Sequence, residues 1–374
     1  MTVRPGAYVH VPYCAHRCAY CSFVAVTGRA TEQEYFDAVV AEIGARAGEV
    51  PGPLDTVYFG GGTPSYADPQ SLDRVVEALR RAWGIEPEAE VTAEANPDDL
   101  VPERLDALVG LGVNRLSVGV QSLRDAELVP LERRHDAASA RGAVRRAIGR
   151  GLRVSADLMI GIPGQTRESL LEALSELLSA GVGHVSVYLL EIEKAPRLVA
   201  LRESSPALFA GDDEMAERWE RVDDACRAAG LPRYETSNWA RPGEESRHNL
   251  KYWRREPVVA FGVAAASFDG AVRRTNGGSI PAYVAAIREK GTAFVAEERL
   301  PAEAALREEV LLGLRTADGV AAGAFEAALG TLPATDRERL ADAVAAGLLE
   351  MVSGRVRLTR AGVLLSNEVF ALLL

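Results

Sequence analysis

Short apolar runs and helical patterns alternate along the first two thirds of this chain, and that alternation limits its fold more than any other feature. Runs that read as buried strands fall at Tyr8–Val11, Thr56–Phe59, Glu90–Ala95, Arg115–Val120, Val154–Ile160 and His184–Ile192. Helical patterns lie between them. One starts at Thr31, with Glu34 placed for a capping box, and another at Asp68, with Pro69 in the first turn. Others run near Pro102–Val109, Ala137–Gly149 and Thr166–Ser179, and glycine stands where helices must stop, at Gly84, Gly112, Gly151 and Gly181. Strand–helix repeats of this size require crossovers and hence a parallel sheet. The pattern predicts an α/β fold, a partial (β/α)6 barrel whose chemistry gathers at the carboxyl ends of the strands.

The residues at those ends are unusual. Cys14, Cys18 and Cys21 follow the first run, and Gly60-Gly61-Gly62-Thr63-Pro64 follows the second. Glu94-Ala95-Asn96-Pro97 ends the third and Gln121-Ser122 the fourth, while Asp157 and Gly161-Ile162-Pro163-Gly164 mark the fifth. A glycine run is often only a turn, but three in succession let a ligand approach backbone amides closely. Glu94, near a strand terminus, could be an ordinary surface carboxylate, but it lies in an otherwise apolar strand. Motifs in register at one rim predict a site.

Of four cysteines, three fall in the spacing C-x3-C-x2-C. Three thiolates on one tight loop suffice for three irons of a [4Fe–4S] cluster and leave the fourth iron open to a ligand. Structural zinc is the alternative. It takes four ligands, usually from two loops; the chain offers no second Cys/His pair, and His16 sits awkwardly between Cys14 and Cys18. Spacing favours the cluster and leaves zinc open. Cys226 reads as a small buried residue of a helix from about Gly211 to Ala229. This usage is not a disulfide framework, no signal peptide is recognisable, and no apolar run reaches the ~18 residues needed to span a bilayer. A reducing cytoplasm is expected, with membrane contact at most transient. The net charge of −11 argues against a nucleic-acid partner.

The motif stretches together resemble the radical S-adenosylmethionine (SAM) enzymes, in the branch that holds oxygen-independent coproporphyrinogen III oxidase and haem chaperones of the HemW type. They are Tyr8 through Cys21, Tyr58 to Ser65, Glu94 to Pro97, Arg115 to Ser122, Asp157 to Thr166, and Arg247-His248-Asn249-Leu250-Lys251-Tyr252-Trp253. The resemblance implies that Cys14, Cys18 and Cys21 bind the cluster and that the methionine end of SAM chelates the open iron. Gly61, Gly62 and Thr63 would contact that end, and Glu94, Gln121, Arg133 and Asp157 would line the rest of the cofactor site. Tyr8 would lie just beneath it, and Tyr20 joins the cofactor-binding set. The implied chemistry is one-electron cleavage of the sulfonium to a 5′-deoxyadenosyl radical; no residue is assigned a catalytic role.

Two departures separate the relatives. The oxidase carries a further cysteine where this chain has Phe23, and a long segment before its first strand where only seven residues precede Tyr8. Both favour the haem chaperone, which passes haem to an acceptor protein; the oxidase is the alternative. The H-N-x-x-Y-W stretch at His248 resembles that branch's haem-associated motif. Its imidazole could ligate iron, Tyr252 and Trp253 could stack on a macrocycle, and Arg247, Arg254 and Arg255 could meet propionates. The plainer reading is a polar loop anchored by its aromatics. Of the other histidines, His10 is expected to point into the barrel, His184 to be a satisfied core residue, and His135 to cap a helix.

The expected organisation is a barrel over 1–235, a connecting segment carrying the motif over 236–295, and a smaller winged-helix-like domain over 296–374. That last part reads as helices at Ala302–Leu314, Ala322–Leu329 and Asp336–Ala345, a hairpin turning at Ser353-Gly354, and a final helix from Arg360.

Overall fold

Residues 3–374 are described by a computed structural model. Six strands run parallel: β1 (Gly6–Val11), β2 (Leu54–Gly61), β3 (Ile85–Ala95), β4 (Arg115–Gln121), β5 (Arg153–Ile160) and β6 (His184–Leu189), paired in sequence order. β6 stops at Leu189 because Ile192 leaves the sheet to bury itself with Ala195 and Leu198. Helices α1 (Glu32–Ala45), α2 (Pro69–Ala82), α3 (Pro102–Gly110), α4 (Ala137–Gly149) and α5 (Arg167–Ser179) fill the crossovers. Each of the four helix-stop glycines takes a positive φ, as expected.

Period-two alternation divides each strand between two environments. One set of side chains, including Val9, Phe59, Ala93, Val118, Ala156 and Val187, joins the core under the helices. The other set is polar. Tyr8, Tyr58 and Thr92 lie in one register row; Glu94, Ser117 and Ser155 lie in the next. Barrels of this kind usually fill the interior with branched apolar residues. Here the interior is a polar lumen.

Two of the expected helix starts carry side-chain caps and one does not. Asp68 caps α2 and Thr166 forms a reciprocal box with Ser169 at α5. The capping box expected at Thr31 and Glu34 is absent: Thr31 Oγ1 pairs instead with the Tyr13 hydroxyl, 3.0 Å away.

The sheet extends to twelve strands. Beyond β6 lie β7 (Arg233–Glu235) and β8 (Asn238–Ala240), both antiparallel additions. Beyond β1 lie β9 (Val258–Phe261), parallel to it, and then the antiparallel β10 (Ala266–Phe268), β11 (Val272–Asn276) and β12 (Phe294–Arg299). The long helix α6 (Asp212–Ala228) buries Cys226, and α7 (Arg247–Trp253) carries the H-N-x-x-Y-W stretch as helix rather than loop.

A buried ion pair fixes this extension to the barrel. Glu42 and Arg46 on α1 are 0% and 2% exposed. Arg46 donates to Glu42, the Ala260 carbonyl and Ser267 Oγ at 3.0, 2.7 and 2.9 Å. Glu42 also accepts from Gly262 N, Asn276 and the Tyr283 hydroxyl. Tyr283 belongs to α8 (Ile280–Lys290).

After β12 come α9 (Ala302–Leu314), α10 (Ala322–Gly330), α11 (Ala334–Ala345) and a sheet of β13 (Val320–Ala321), β14 (Leu349–Val352) and β15 (Arg355–Leu358), order β13-β15-β14. The hairpin turns at Ser353 and Gly354, both at positive φ, matching the right-handed strand twist. Asp223 on α6 anchors this module: it is 0% exposed, accepts from Trp239 Nε1 at 2.9 Å, and forms ion pairs with Arg227 at 3.0 Å and Arg360 at 3.6 Å.

Replacing Glu42 with alanine removes the fully buried counter-charge of Arg46, leaves it only the partly exposed Glu49 at 2.8 Å, and strips the Asn276 and Tyr283 donors of their acceptor. It is expected to cost about 3–5 kcal/mol, read as a lower urea midpoint.

Candidate functional site

The strand carboxyl ends surround a cavity of about 340 Å³. Cys14, Cys18, Cys21, Tyr20, Gly61, Gly62, Thr63, Glu94, Gln121, Arg133 and Asp157 all line it. Tyr8 and His248 do not.

The cysteine loop is pinned at several points. Gly28 N donates to the Cys14 carbonyl, Cys21 N to the Cys18 carbonyl and Ala19 N to the Leu131 carbonyl. Thr63 Oγ1 lies 3.3 Å from Cys14 Sγ, and Arg133 donates to Cys18 Sγ at 3.2 Å. Among the described residues no three Cys, His, Asp or Glu side chains converge on one point as a mononuclear ion demands. Thiolates that each serve a different iron need not converge. Burial pushes the Cys14 and Cys21 thiols up, so metal loading releases protons.

The glycine loop differs from expectation. The amides of Gly61, Gly62 and Thr63 are already spent on Glu94 Oε2, the Val11 carbonyl and the Tyr13 carbonyl at 3.0, 2.8 and 2.9 Å. Gly61 sits at φ +109 with its missing Cβ directed into the His10 ring, and a Cβ on Gly62 would press on the Val11–Pro12 backbone. Ligand contacts from this loop must therefore come from carbonyl oxygens and Cα faces.

Three carboxylates line the cavity, the exposed Glu191 at its mouth and two buried ones, Glu94 and Asp157, that have no basic side chain bonded to them. Glu94 accepts from the Tyr58 hydroxyl at 2.9 Å and from Gly61 N; burial raises its pKa against the pull of both bonds. Asp157 accepts from Ser117 at 3.1 Å, and burial pushes it up to about 7, with Ser186 and Ser117 opposing. A cavity holding two such groups fits a cationic ligand. Gln121 offers a second mark. It holds φ +64 at a bulge closing β4, and its buried Oε1 has no partner, an acceptor waiting for a donor.

Arg133 ties the loop to the barrel. It donates to Asn96 Oδ1 at 2.6 Å and the Gly119 carbonyl at 2.8 Å as well as to Cys18, and it passes 3.4 Å from the Tyr20 hydroxyl. Asn96 Nδ2 in turn donates to Thr63 Oγ1 at 3.1 Å. These residues fit a sulfonium-bearing nucleoside beside a three-thiolate cluster: acidic floor, open acceptor, glycine wall.

The sequence matches the radical SAM superfamily over residues 8–177 and the HemN C-terminal domain over residues 300–365. It is 35% identical to the heme chaperone HemW of Mycobacterium tuberculosis, covering 99% of this chain and 94% of that protein. To the heme chaperone HemW of Bacillus subtilis it is 34% identical, covering 98% of each. The chain belongs to the HemW-type radical SAM family. The coproporphyrinogen III oxidase HemN of Escherichia coli shares the fold, with a TM-score of 0.85 and 22% identity over 99% of this chain and 90% of that one.

In this HemW-type chain Tyr8 lies one layer below the cavity, stacked on Tyr58 at 6.1 Å with its hydroxyl 3.2 Å from His10 Nδ1. His248 lies deeper still, 0% exposed, 5.0 Å from the Tyr58 ring. Its Nδ1 is 2.9 Å from Thr56 Oγ1, its Nε2 3.0 Å from the Tyr252 hydroxyl, and its backbone N–H donates to buried Glu90. Arg247 and Arg255 pair with Asp55 and Glu308, and Trp253 packs under the Arg315 guanidinium. His10 is buried in the barrel and His184 is satisfied by Ser155 and Tyr234, both as expected. His135 does not cap a helix: Asp136 caps α4, and His135 bonds the Val120 carbonyl.

Sequence reasoning singled out neither Tyr188 nor Leu189 of β6, nor the cavity-facing roles of His16 and Phe23. The rule that strand ends carry the site, applied to β6, finds the first two.

Asp157 yields a pH dependence. Its folded-state carboxyl holds the proton more tightly than the unfolded chain's, so its contribution is full below about 4 and lost as pH rises through about 7. The thermal midpoint of the ligand-free protein is expected to fall across that window, with Asp157→Asn flattening the fall.

Proposed function

We propose that this chain is a haem chaperone: Cys14, Cys18 and Cys21 hold a [4Fe–4S] cluster, SAM binds beside it, and bound haem is passed to an acceptor protein. The observation that carries the reading is the full-length similarity to proteins named heme chaperone HemW, together with a cavity that gathers the expected residues. When bound, the cluster and SAM supply one-electron chemistry at the sulfonium. The chain's own residues bind and orient. Glu94 and Asp157 meet positive charge, Gln121 accepts a hydrogen bond, and Gly61, Gly62 and Thr63 let the ligand lie against backbone. Arg133, with Tyr20 beside it, keeps Cys18 in register with Asn96 and Thr63. Tyr8, Tyr58 and His248 form the packed floor that excludes water from beneath Glu94.

Coproporphyrinogen oxidation is the second reading, supported by the shared fold and opposed by Phe23 at the oxidase's extra cysteine. Anaerobic reconstitution should give iron with acid-labile sulfide, lost when all three cysteines become alanine. The loaded protein should take up haem and leave coproporphyrinogen III unchanged; decarboxylation with SAM and a reductant would overturn the chaperone reading. Glu94→Gln removes a charge-assisted contact of about 1.5–3 kcal/mol. It is expected to weaken SAM binding about 10- to 100-fold in a calorimetric titration.

A further inference from the structure

A second opening lies away from the rim. It is a cleft of about 660 Å³ between α7 and the C-terminal module, lined by Tyr234, Leu250, Trp253 and Val320 among others, and it shares no lining residue with the rim cavity. A line of hydrogen-bonded side chains runs between the two. Ser155 Oγ lies 3.4 Å from Asp157 Oδ1 and 3.1 Å from Ser186 Oγ, and Ser186 also bonds Asp157. His184 Nδ1 lies 2.7 Å from Ser155 Oγ, and its Nε2 lies 2.8 Å from the Tyr234 hydroxyl. Ser155 and His184 are register partners across β5 and β6, as are Asp157 and Ser186, so the sheet itself sets the line.

Every member of this line both donates and accepts. Ser155, Ser186 and Tyr234 are hydroxyls, and a neutral imidazole carries a donor on one nitrogen and an acceptor on the other. Burial, reinforced by the Arg115 guanidinium, keeps His184 neutral. Asp157 is faced by Glu94 and Tyr188, and Tyr234 by Glu235, Arg115 and Glu90. The other lumen hydroxyls lead nowhere. Among the described residues Ser117 Oγ meets only Asp157, the Tyr58 hydroxyl meets only Glu94, and buried Thr92 Oγ1 has no partner. A positively charged ligand beside Asp157 favours its carboxylate form. The proton must then leave while that ligand occupies the rim side.

We propose that Ser155, Ser186, His184 and Tyr234 carry the Asp157 proton through the barrel to the cleft when SAM enters from the rim. This rests on the reading that SAM binds in the rim cavity. Asp157 passes its proton to a serine oxygen, and the serine hydroxyl proton goes to His184 Nδ1. The Nε2 proton goes to the Tyr234 oxygen, and the phenol proton to water in the cleft. Each relaying group loses one proton as it gains one, so it stays neutral and only O–H and N–H bonds are exchanged. His184 and Tyr234 pass the proton without touching the cofactor.

The test mixes cluster-loaded full-length protein with SAM in an anaerobic stopped-flow, weakly buffered at about pH 7, where Asp157 holds its proton in part. A pH indicator follows proton release, and calorimetric titration gives the affinity and the proton count. In wild type the release rate is expected to rise with SAM concentration, because binding limits it. In Tyr234→Phe it is expected to reach a ceiling at least about tenfold lower, with affinity and proton count unchanged. His184→Gln should behave alike; if glutamine disturbs the fold, Tyr234→Phe decides alone. Variants that release the proton as fast as wild type would overturn the relay, as would a slowing that merely follows a loss of SAM affinity. So would wild type that binds SAM without releasing a proton, or a release that survives Asp157→Asn. Wild type that binds no SAM at all would defeat the cofactor reading itself.

Discussion

Everything in the barrel depends on one constraint: alternate residues of six parallel strands serve a dry outer face and a polar lumen. The outer set buries against helices and supplies the hydrophobic driving force. The inner set is thereby free of any packing duty and can carry Tyr58, Glu94, Ser117 and Asp157. Polar groups in that lumen are tolerable because they bond to one another; Glu94 has Tyr58 and Gly61, and Asp157 has serines. What they lack is positive charge. Two buried carboxylates of raised pKa beside a thiol loop make the cavity a site suited to a ligand that brings positive charge.

The strand–helix alternation was legible in the sequence because each element obeys its own period and ends on glycine or a cap. The rim residues were legible because they follow those strands directly. The flanking strands were not. β11 reads Val272-Arg273-Arg274-Thr275-Asn276, with too little apolar alternation to announce a strand, and it is held by Arg273 and Arg274 pairing with Glu298 and Glu297 on β12. Pairing across 20 or more residues leaves no local mark. The capping box at Thr31 failed for a related reason: Tyr13, distant in sequence, took the hydroxyl.

His248 shows how spacing in sequence gives proximity in the fold without giving its depth. Its spacing to Tyr252 puts both on neighbouring turns of α7, so the phenol reaches the imidazole and the pair closes the barrel floor. Sequence gives the proximity but not the direction. Glu90, four residues before Glu94 at the middle of β3, decides it by accepting from the helix's first turn.

The anchoring of Asp223 has a mechanical consequence. This carboxylate is shared between the sheet edge through Trp239, its own helix through Arg227, and the C-terminal module through Arg360. Swinging the module away would strip a cation from a charge that water cannot reach. Parting the module from the barrel therefore carries an electrostatic penalty that a purely apolar seam would not impose.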